Sequence, residues 1–192
     1  MIQLFLVRHG NTFEAGQTPV QVGARTDLPL TSQGRLQAEQ MGKYLLAKQI
    51  LPAAIYAGRL KRQTEFAAIL SAPFGLVLQE APALTEIDYG LWEGLSAEAI
   101  ASRWPKEYAE WTEQAKWPHH IFQKTDEEHR NQLEEWLNLL RKKDQANTVF
   151  AVTSNGLMRF FKNEKVKTGH FCEIHLQKEG LQICSWNRDP HG

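Results

Sequence analysis

The sequence has little cysteine, no net charge and no long apolar run, and each shortage removes a class of protein. Two cysteines, Cys172 and Cys184, in 192 residues are too few for a disulfide framework or a zinc finger, and they form no CxxC pair. Lys plus Arg and Asp plus Glu each number 22, so no overall basic field exists to hold nucleic acid or an anionic membrane. Any anion site has to be local. No apolar stretch reaches the roughly 18 residues of a membrane span. Met1 leads straight into Ile2-Gln3-Leu4-Phe5-Leu6-Val7 with no basic leader or small-residue cleavage site, so a cytoplasmic location is expected. His119, His120 and His129 lack a supporting carboxylate spacing such as HExxH, so no metal is expected there. They are expected on the surface or in a cap near an anionic substrate.

With 42% hydrophobic and 23% charged residues, the chain suits one domain spanning 1–192 with a small cap segment at about 90–125. Residues 2–7 read as a strand buried on both faces. Thr31 can cap a helix that buries Ala38, Met41 and Leu45 and stops near Lys48. A strand at 53–57, a helix from about Leu60 to Leu70 and a strand near 76–78 continue a βαβαβ rhythm. Residues 86–125, with Trp92, Trp104, Trp111 and Trp117, interrupt it and are expected to form short cap helices. Most of these tryptophans are expected in the core, with Trp111 or Trp117 available to line a pocket for an organic leaving group. Thr125-Asp126-Glu127-Glu128 is a capping box for a helix carrying Leu133, Trp136, Leu137 and Leu140. A buried strand at 148–153 turns through Ser154-Asn155-Gly156 into a helix running to about Lys162. A hairpin closes the chain, matching Ile174 to Ile183 and Leu176 to Leu181. That register puts the two cysteines on opposite faces, and both are expected as buried structural thiols. His170 and His175 are expected at a sheet edge.

This alternation predicts an α/β fold, a three-layer α/β/α sandwich around a mostly parallel sheet with a small helical cap. Its chemistry is expected at the carboxyl ends of the strands. Three polar clusters fall at such ends: Arg8-His9-Gly10-Asn11-Thr12, Arg59 to Arg62, and Thr153-Ser154-Asn155-Gly156. A histidine between arginine and glycine at a strand end suits nucleophilic attack on phosphorus. The imidazole attacks, the arginine binds phosphoryl oxygens and the glycine permits close backbone approach.

Leu6-Val7-Arg8-His9-Gly10-Asn11-Thr12 resembles the signature of the histidine phosphatase superfamily, also called phosphoglycerate mutase-like. Asp27-Leu28-Pro29-Leu30-Thr31 with Gly34 and Gln37-Ala38, Tyr56 to Arg62, Glu86 to Gly94, and a fifth segment at 149–159 are similar to further segments of that family in the same order. The resemblance implies that His9 becomes a phosphohistidine, Arg8 and Arg62 clamp the phosphate, and Glu86 is the proton donor. Glu86 can serve if burial or a neighbouring carboxylate such as Asp88 raises its pKa. Arg62, on the first turn of its helix, can face an anion together with the helix N-terminus.

The sequence departs from the family pattern in four places. Asn155 stands where the family has a second histidine, and an amide donates to phosphate without bringing a charge. Gly58 replaces a serine, Ala15 replaces an asparagine for which Asn11 is the candidate substitute, and the usual Gly-Glu-Ser segment is absent from 118–128. The function expected from the resemblance is a phosphomonoesterase acting on a small phosphorylated metabolite, without metal or nucleotide cofactor. The alternative is a weakened or inactive phosphate-binding pseudoenzyme, with mutase-type phosphoryl transfer behind both. The catalytic set is then His9, Glu86, Arg8, Arg62 and Asn155, with Asn11, Arg8 and Arg62 binding substrate. The sequence sets no oligomeric state.

Overall fold

The apolar run that opens the chain lies inside a sheet. In a computed structural model, which describes residues 1–143 and 148–190, strand β1 (Ile2–Arg8) pairs in parallel with β4 (Thr148–Thr153) on one side and antiparallel with β5 (Phe171–Leu176) on the other. Strands β2 (Ala54–Ala57), β3 (Leu78–Glu80) and β6 (Leu181–Arg188) complete the order β3-β2-β4-β1-β5-β6 among the described residues. The first four strands run parallel, and the closing hairpin is the antiparallel edge. Having neighbours on both sides and helices on both faces explains why β1 and β4 read as unbroken apolar runs rather than alternating ones.

One face of the sheet packs Phe5, Val7, Ile55, Phe150 and Val152 against α1 (Ser32–Ala47) and α2 (Lys61–Ser71). Phe5 stacks on Phe150 with ring centroids 4.7 Å apart, a pairing worth about 0.5–1.5 kcal/mol beyond its buried area. The opposite face packs Leu4, Leu6, Val149 and Ala151 against Leu133, Trp136, Leu137 and Leu140 of α5 (Asp126–Lys142). These are the three expected layers. A third cluster of Ile87, Tyr89, Trp92, Ile100, Trp111, Trp117 and Phe122 joins α3 (Ala97–Arg103) and α4 (Pro105–Gln114) into the aromatic segment before α5. No described helix is long and apolar enough to cross a membrane.

The caps predicted at Thr31 and Thr125 form. Thr31 Oγ1 accepts from Gly34 N–H, and Thr125 and Glu128 exchange side-chain and backbone bonds. Three expectations change. Strand β3 begins at Leu78, because Leu78 is the residue that pairs with Ile55, while Val77 is 83% exposed. The helix after β4, α6 (Asn155–Met158), lasts a single turn. From Arg159 to Phe161 the chain continues in i→i+3 bonds, the tighter winding found where a helix ends. Cys172 is buried as expected but Cys184 is exposed, because the pairing of β5 with β6 slips at Cys184 and β6 is the outermost strand among the described residues.

Candidate active site

The parallel strands β1, β2 and β4 end side by side, with Arg8 paired to Thr153 and Ala57 to Val152. The residues that follow them, His9, Gly58 and Ser154, therefore emerge at one edge, where ligands bind in open α/β sheets. A pocket of about 940 Å³ opens there, lined among others by Arg8, His9, Asn11, Arg62, Glu86 and Asn155. The fold thus gathers all six candidate residues. Gly10 serves a different approach from the one expected. A Cβ there would lie 2.5 Å from Gly34 O, so glycine lets the His9 loop abut the first turn of α1.

His9 is buried, and its Nδ1 lies 2.8 Å from Gly10 O. A carbonyl only accepts, so Nδ1 carries the proton and Nε2 keeps its lone pair. Burial, then Arg62 and Arg8, push the His9 pKa well below the usual histidine value. Near neutral pH the ring is uncharged and can act as a nucleophile.

Both arginines are held by backbone carbonyls. Arg62 donates to Thr26 O at 2.8 Å and Gly23 O at 3.1 Å, and Arg8 donates to Val166 O at 2.5 Å. A carbonyl orients a guanidinium without cancelling its charge, so two full positive charges remain for an anion. Arg8 Nε is buried with no hydrogen-bond partner among the described residues. The loop holding Arg62 is itself fixed by Glu93, which accepts from Arg25 N–H and from the Thr26 hydroxyl at 2.6 Å. The expectation that the start of α2 also faces the anion is not met at Lys61, whose N–H donates to Asp27 Oδ1 at 2.6 Å. Arg62 contributes through its side chain.

Glu86 is buried, and its carboxylate accepts from the N–H groups of Ile87, Gly156 and Leu157 at 2.9–3.2 Å. These bonds and the two arginines favour the charged form, but burial outweighs them and raises the pKa. Burial is the cause, not Asp88, which is turned to Arg25 at 3.0 Å and to Gly90 N–H. Gly156 makes the arrangement fit, because a Cβ there would lie 2.4 Å from Glu86 Oε1 and 2.3 Å from Tyr89 Oη.

Asn155 lines the pocket, and its Oδ1 accepts from Val166 N–H at 2.9 Å. That leaves Nδ2 as its free donor, and it ties Asn155 to the same residue whose carbonyl holds Arg8. Asn11 accepts the Thr168 hydroxyl, and Gln37 joins Asn11 N–H to Thr168 O. Gly58 also has a structural reason. A Cβ at 58 would lie 2.1 Å from Gln63 Oε1 and 2.6 Å from Leu84 O, and Gln63 Nε2 spans from Leu84 O to Ser154 Oγ at 2.9 Å. Glutamine thus fills the space a serine side chain would take.

Sequence reasoning missed Tyr89, Arg159, Lys165 and Thr168, which also line the pocket. Arg159 lies 4.5 Å over the Trp111 ring and donates to Trp111 O at 2.5 Å. The signal for Arg159 and Lys165 was an excess of positive charge just after the late motif. Trp111 lines the pocket, whereas Trp117 is buried against Phe122 and His129. His119, His120 and His129 are not pocket residues. The first two lie near Asp126 and Glu107, and burial lowers the pKa of His129 to about 4.

The profile of the histidine phosphatase superfamily (branch 1) matches residues 4–189. Phosphoserine phosphatase 1 of Hydrogenobacter thermophilus is 27% identical over 163 residues, covering 83% of this chain and 74% of that protein. Glucosyl-3-phosphoglycerate phosphatase of Mycobacterium tuberculosis is 32% identical over 122 residues, covering 62% of this chain. The match spans only 51% of that relative, and only 52% of the uncharacterized phosphatase PhoE of Bacillus subtilis. A mycobacterial glucosyl-3-phosphoglycerate phosphatase solved with VO3 superposes with a TM-score of 0.85 at 21% identity, over 98% of this chain and all of the other. Bacillus stearothermophilus YhfR superposes with a TM-score of 0.81 at 22% identity, over 97% of each chain. Matched by the profile from residue 4 to residue 189, the chain belongs to branch 1 of the histidine phosphatase superfamily.

Proposed function

We propose that the chain is a phosphomonoesterase in which His9 Nε2 attacks phosphorus. The bond from phosphorus to the ester oxygen breaks, and the departing oxygen takes the Glu86 proton. Water then attacks phosphorus, the bond to His9 Nε2 breaks and returns its electron pair to the ring, a water proton goes to Glu86 and phosphate leaves, so the sum is ester plus water to alcohol plus phosphate. Arg8, Arg62 and the Asn155 amide hold the equatorial oxygens, and no step needs a metal. The observation that carries this reading is the 2.8 Å contact from His9 Nδ1 to Gly10 O, which directs Nε2 to the pocket as the unprotonated nitrogen, beside two guanidiniums that no carboxylate neutralises by a hydrogen bond among the described residues.

Glu86→Gln tests the assignment of the acid. An alkyl phosphate needs its leaving oxygen protonated, and hydrolysis should slow by about 10²–10⁴-fold. p-Nitrophenyl phosphate barely needs a proton and should slow by less than about tenfold. Equal losses on both would assign Glu86 to structure or binding.

The rest of the pocket favours a particular leaving group. Arg159 and Lys165 line it and pair with no carboxylate among the described residues, and phosphate already has Arg8 and Arg62. A second anionic group on the organic part, a carboxylate or another phosphate, matches the two further cations. Two relatives are named for phosphoserine and glucosyl-3-phosphoglycerate, phosphomonoesters that carry a carboxylate. A carboxylate-bearing substrate should exceed its neutral analogue of equal length by about tenfold or more in kcat/KM, the worth of one charge-assisted contact. Arg159→Met should narrow that gap. No preference, or a gap unchanged in Arg159→Met, would remove this leaving-group assignment.

A further inference from the structure

Away from the pocket, the closing hairpin gathers three different metal-ligating side chains across β5 and β6, the last two strands of the sheet. Glu173 and His175 lie two residues apart on β5 and so share a face. Pairing between β5 and β6 slips beside them: Glu173 faces Ser185 while Ile174 faces Ile183, which leaves Cys184 as the extra residue of a bulge. One donor atom from each of Glu173, His175 and Cys184 lies within 4.8 Å of the other two.

The donors are partly oriented already. Glu173 Oε1 accepts from Gln3 Nε2 at 2.8 Å and lies 3.0 Å from His175 Nε2, while Gln3 Oε1 accepts from the Thr148 hydroxyl at 3.1 Å. Hydrogen bonds from behind a carboxylate ligand are the usual support of a metal site. Cys184 Sγ lies 3.7 Å from Gln182 O and remains exposed, and Cys172 is buried on the other face, so the two do not form a disulfide.

We propose that Glu173, His175 and Cys184 bind a divalent transition ion of the zinc type, with water in the fourth position. Carboxylate, imidazole and thiolate together suit zinc or cobalt better than magnesium or calcium, which take oxygen ligands. Metal–ligand distances of about 2.0–2.3 Å place donors roughly 3.3–3.8 Å apart, an adjustment from the present spacing that is within reach of side-chain rotation. Binding releases the Cys184 thiol proton to solvent and bridges β5 to β6 across the bulge, so the ion stabilises the open edge of the sheet. The site lies outside the phosphate pocket and is independent of the proposed activity.

The test uses the full chain, kept reduced, stripped with chelator and titrated with Co²⁺. A near-ultraviolet thiolate-to-cobalt band should rise to one equivalent and disappear when Zn²⁺ is added. Cys184→Ser should abolish the band, and His175→Gln should weaken Co²⁺ binding at least about tenfold. Both replaced side chains reach the surface, and circular dichroism checks that each variant folds. Zn²⁺ should raise the Tm of the native chain and leave that of Cys184→Ser unchanged. Absence of the thiolate band, its persistence in Cys184→Ser, or equal Zn²⁺ shifts in both proteins would overturn the proposal.

Discussion

Replacing His9 by alanine is expected to lower kcat/KM by on the order of 10⁴-fold or more, equivalent to about 5.4 kcal/mol of transition-state stabilisation. Phosphate affinity should change by much less. In the proposed mechanism the two effects separate because Arg8 and Arg62 supply the charges that bind phosphate, whereas His9 Nε2 supplies the reacting lone pair. A large loss follows from removing the atom that forms the new bond, since no other side chain then splits the displacement into two steps. The fold should survive. The lost bond to Gly10 O costs about 1 kcal/mol, and the cavity opens onto the pocket, where water can enter. Steady-state kinetics together with phosphate binding by calorimetry check both halves. A His9→Ala protein retaining more than about a hundredth of the native rate would point to direct attack by water.

Arg62→Met is expected to cost about 10²–10³-fold in kcat/KM, the range found when one preorganised donor to a developing anion is removed. Methionine keeps much of the length and apolar stem of arginine, so the buried space stays filled while the charge leaves. The pH profile should move as well. Arg62 depresses the His9 pKa and lowers that of Glu86 against the upward push of burial. Without Arg62 both values rise. The His9 ring must be neutral to attack, so the acid limb of kcat/KM should shift to higher pH. Glu86 must be protonated to act as acid, so the alkaline limb should shift the same way. A rate loss with both limbs unmoved would mean that Arg62 acts on substrate orientation alone.

The layers and most elements were legible in the sequence because their signals are local. An unbroken apolar run marks β1, capping residues mark α1 and α5, and matched isoleucines and leucines set the hairpin register. Five of the six candidate residues were legible because they sit in motifs at strand ends, which parallel strands carry to one edge, while Glu86 was legible only through the family resemblance. What stayed hidden depends on contacts distant in sequence. Nothing near Gly58 announces that Gln63 fills the space beside it, and nothing near Asn155 announces that Val166 takes its carbonyl oxygen. Arg159 is held at the pocket by its contact with Trp111 of α4, which lies 48 residues away in sequence. Cys184 shows the limit of register reasoning. The opposite faces were read correctly, but exposure depended on the slip beside Cys184 and on β6 having no further strand beside it among the described residues.

Trapping the phosphoenzyme tests the central claim most directly. The native chain is mixed with a phosphomonoester labelled in its phosphoryl group and quenched in base within the first turnover. The expected result is an acid-labile, base-stable phosphoryl group on the peptide containing His9, formed and lost at least as fast as kcat and absent from His9→Ala. Turnover without labelling at His9, or tight phosphate binding with neither turnover nor labelling on a set of alkyl, aryl and carboxylate-bearing phosphomonoesters, would contradict it. The second outcome would leave the pocket as a phosphate-binding module.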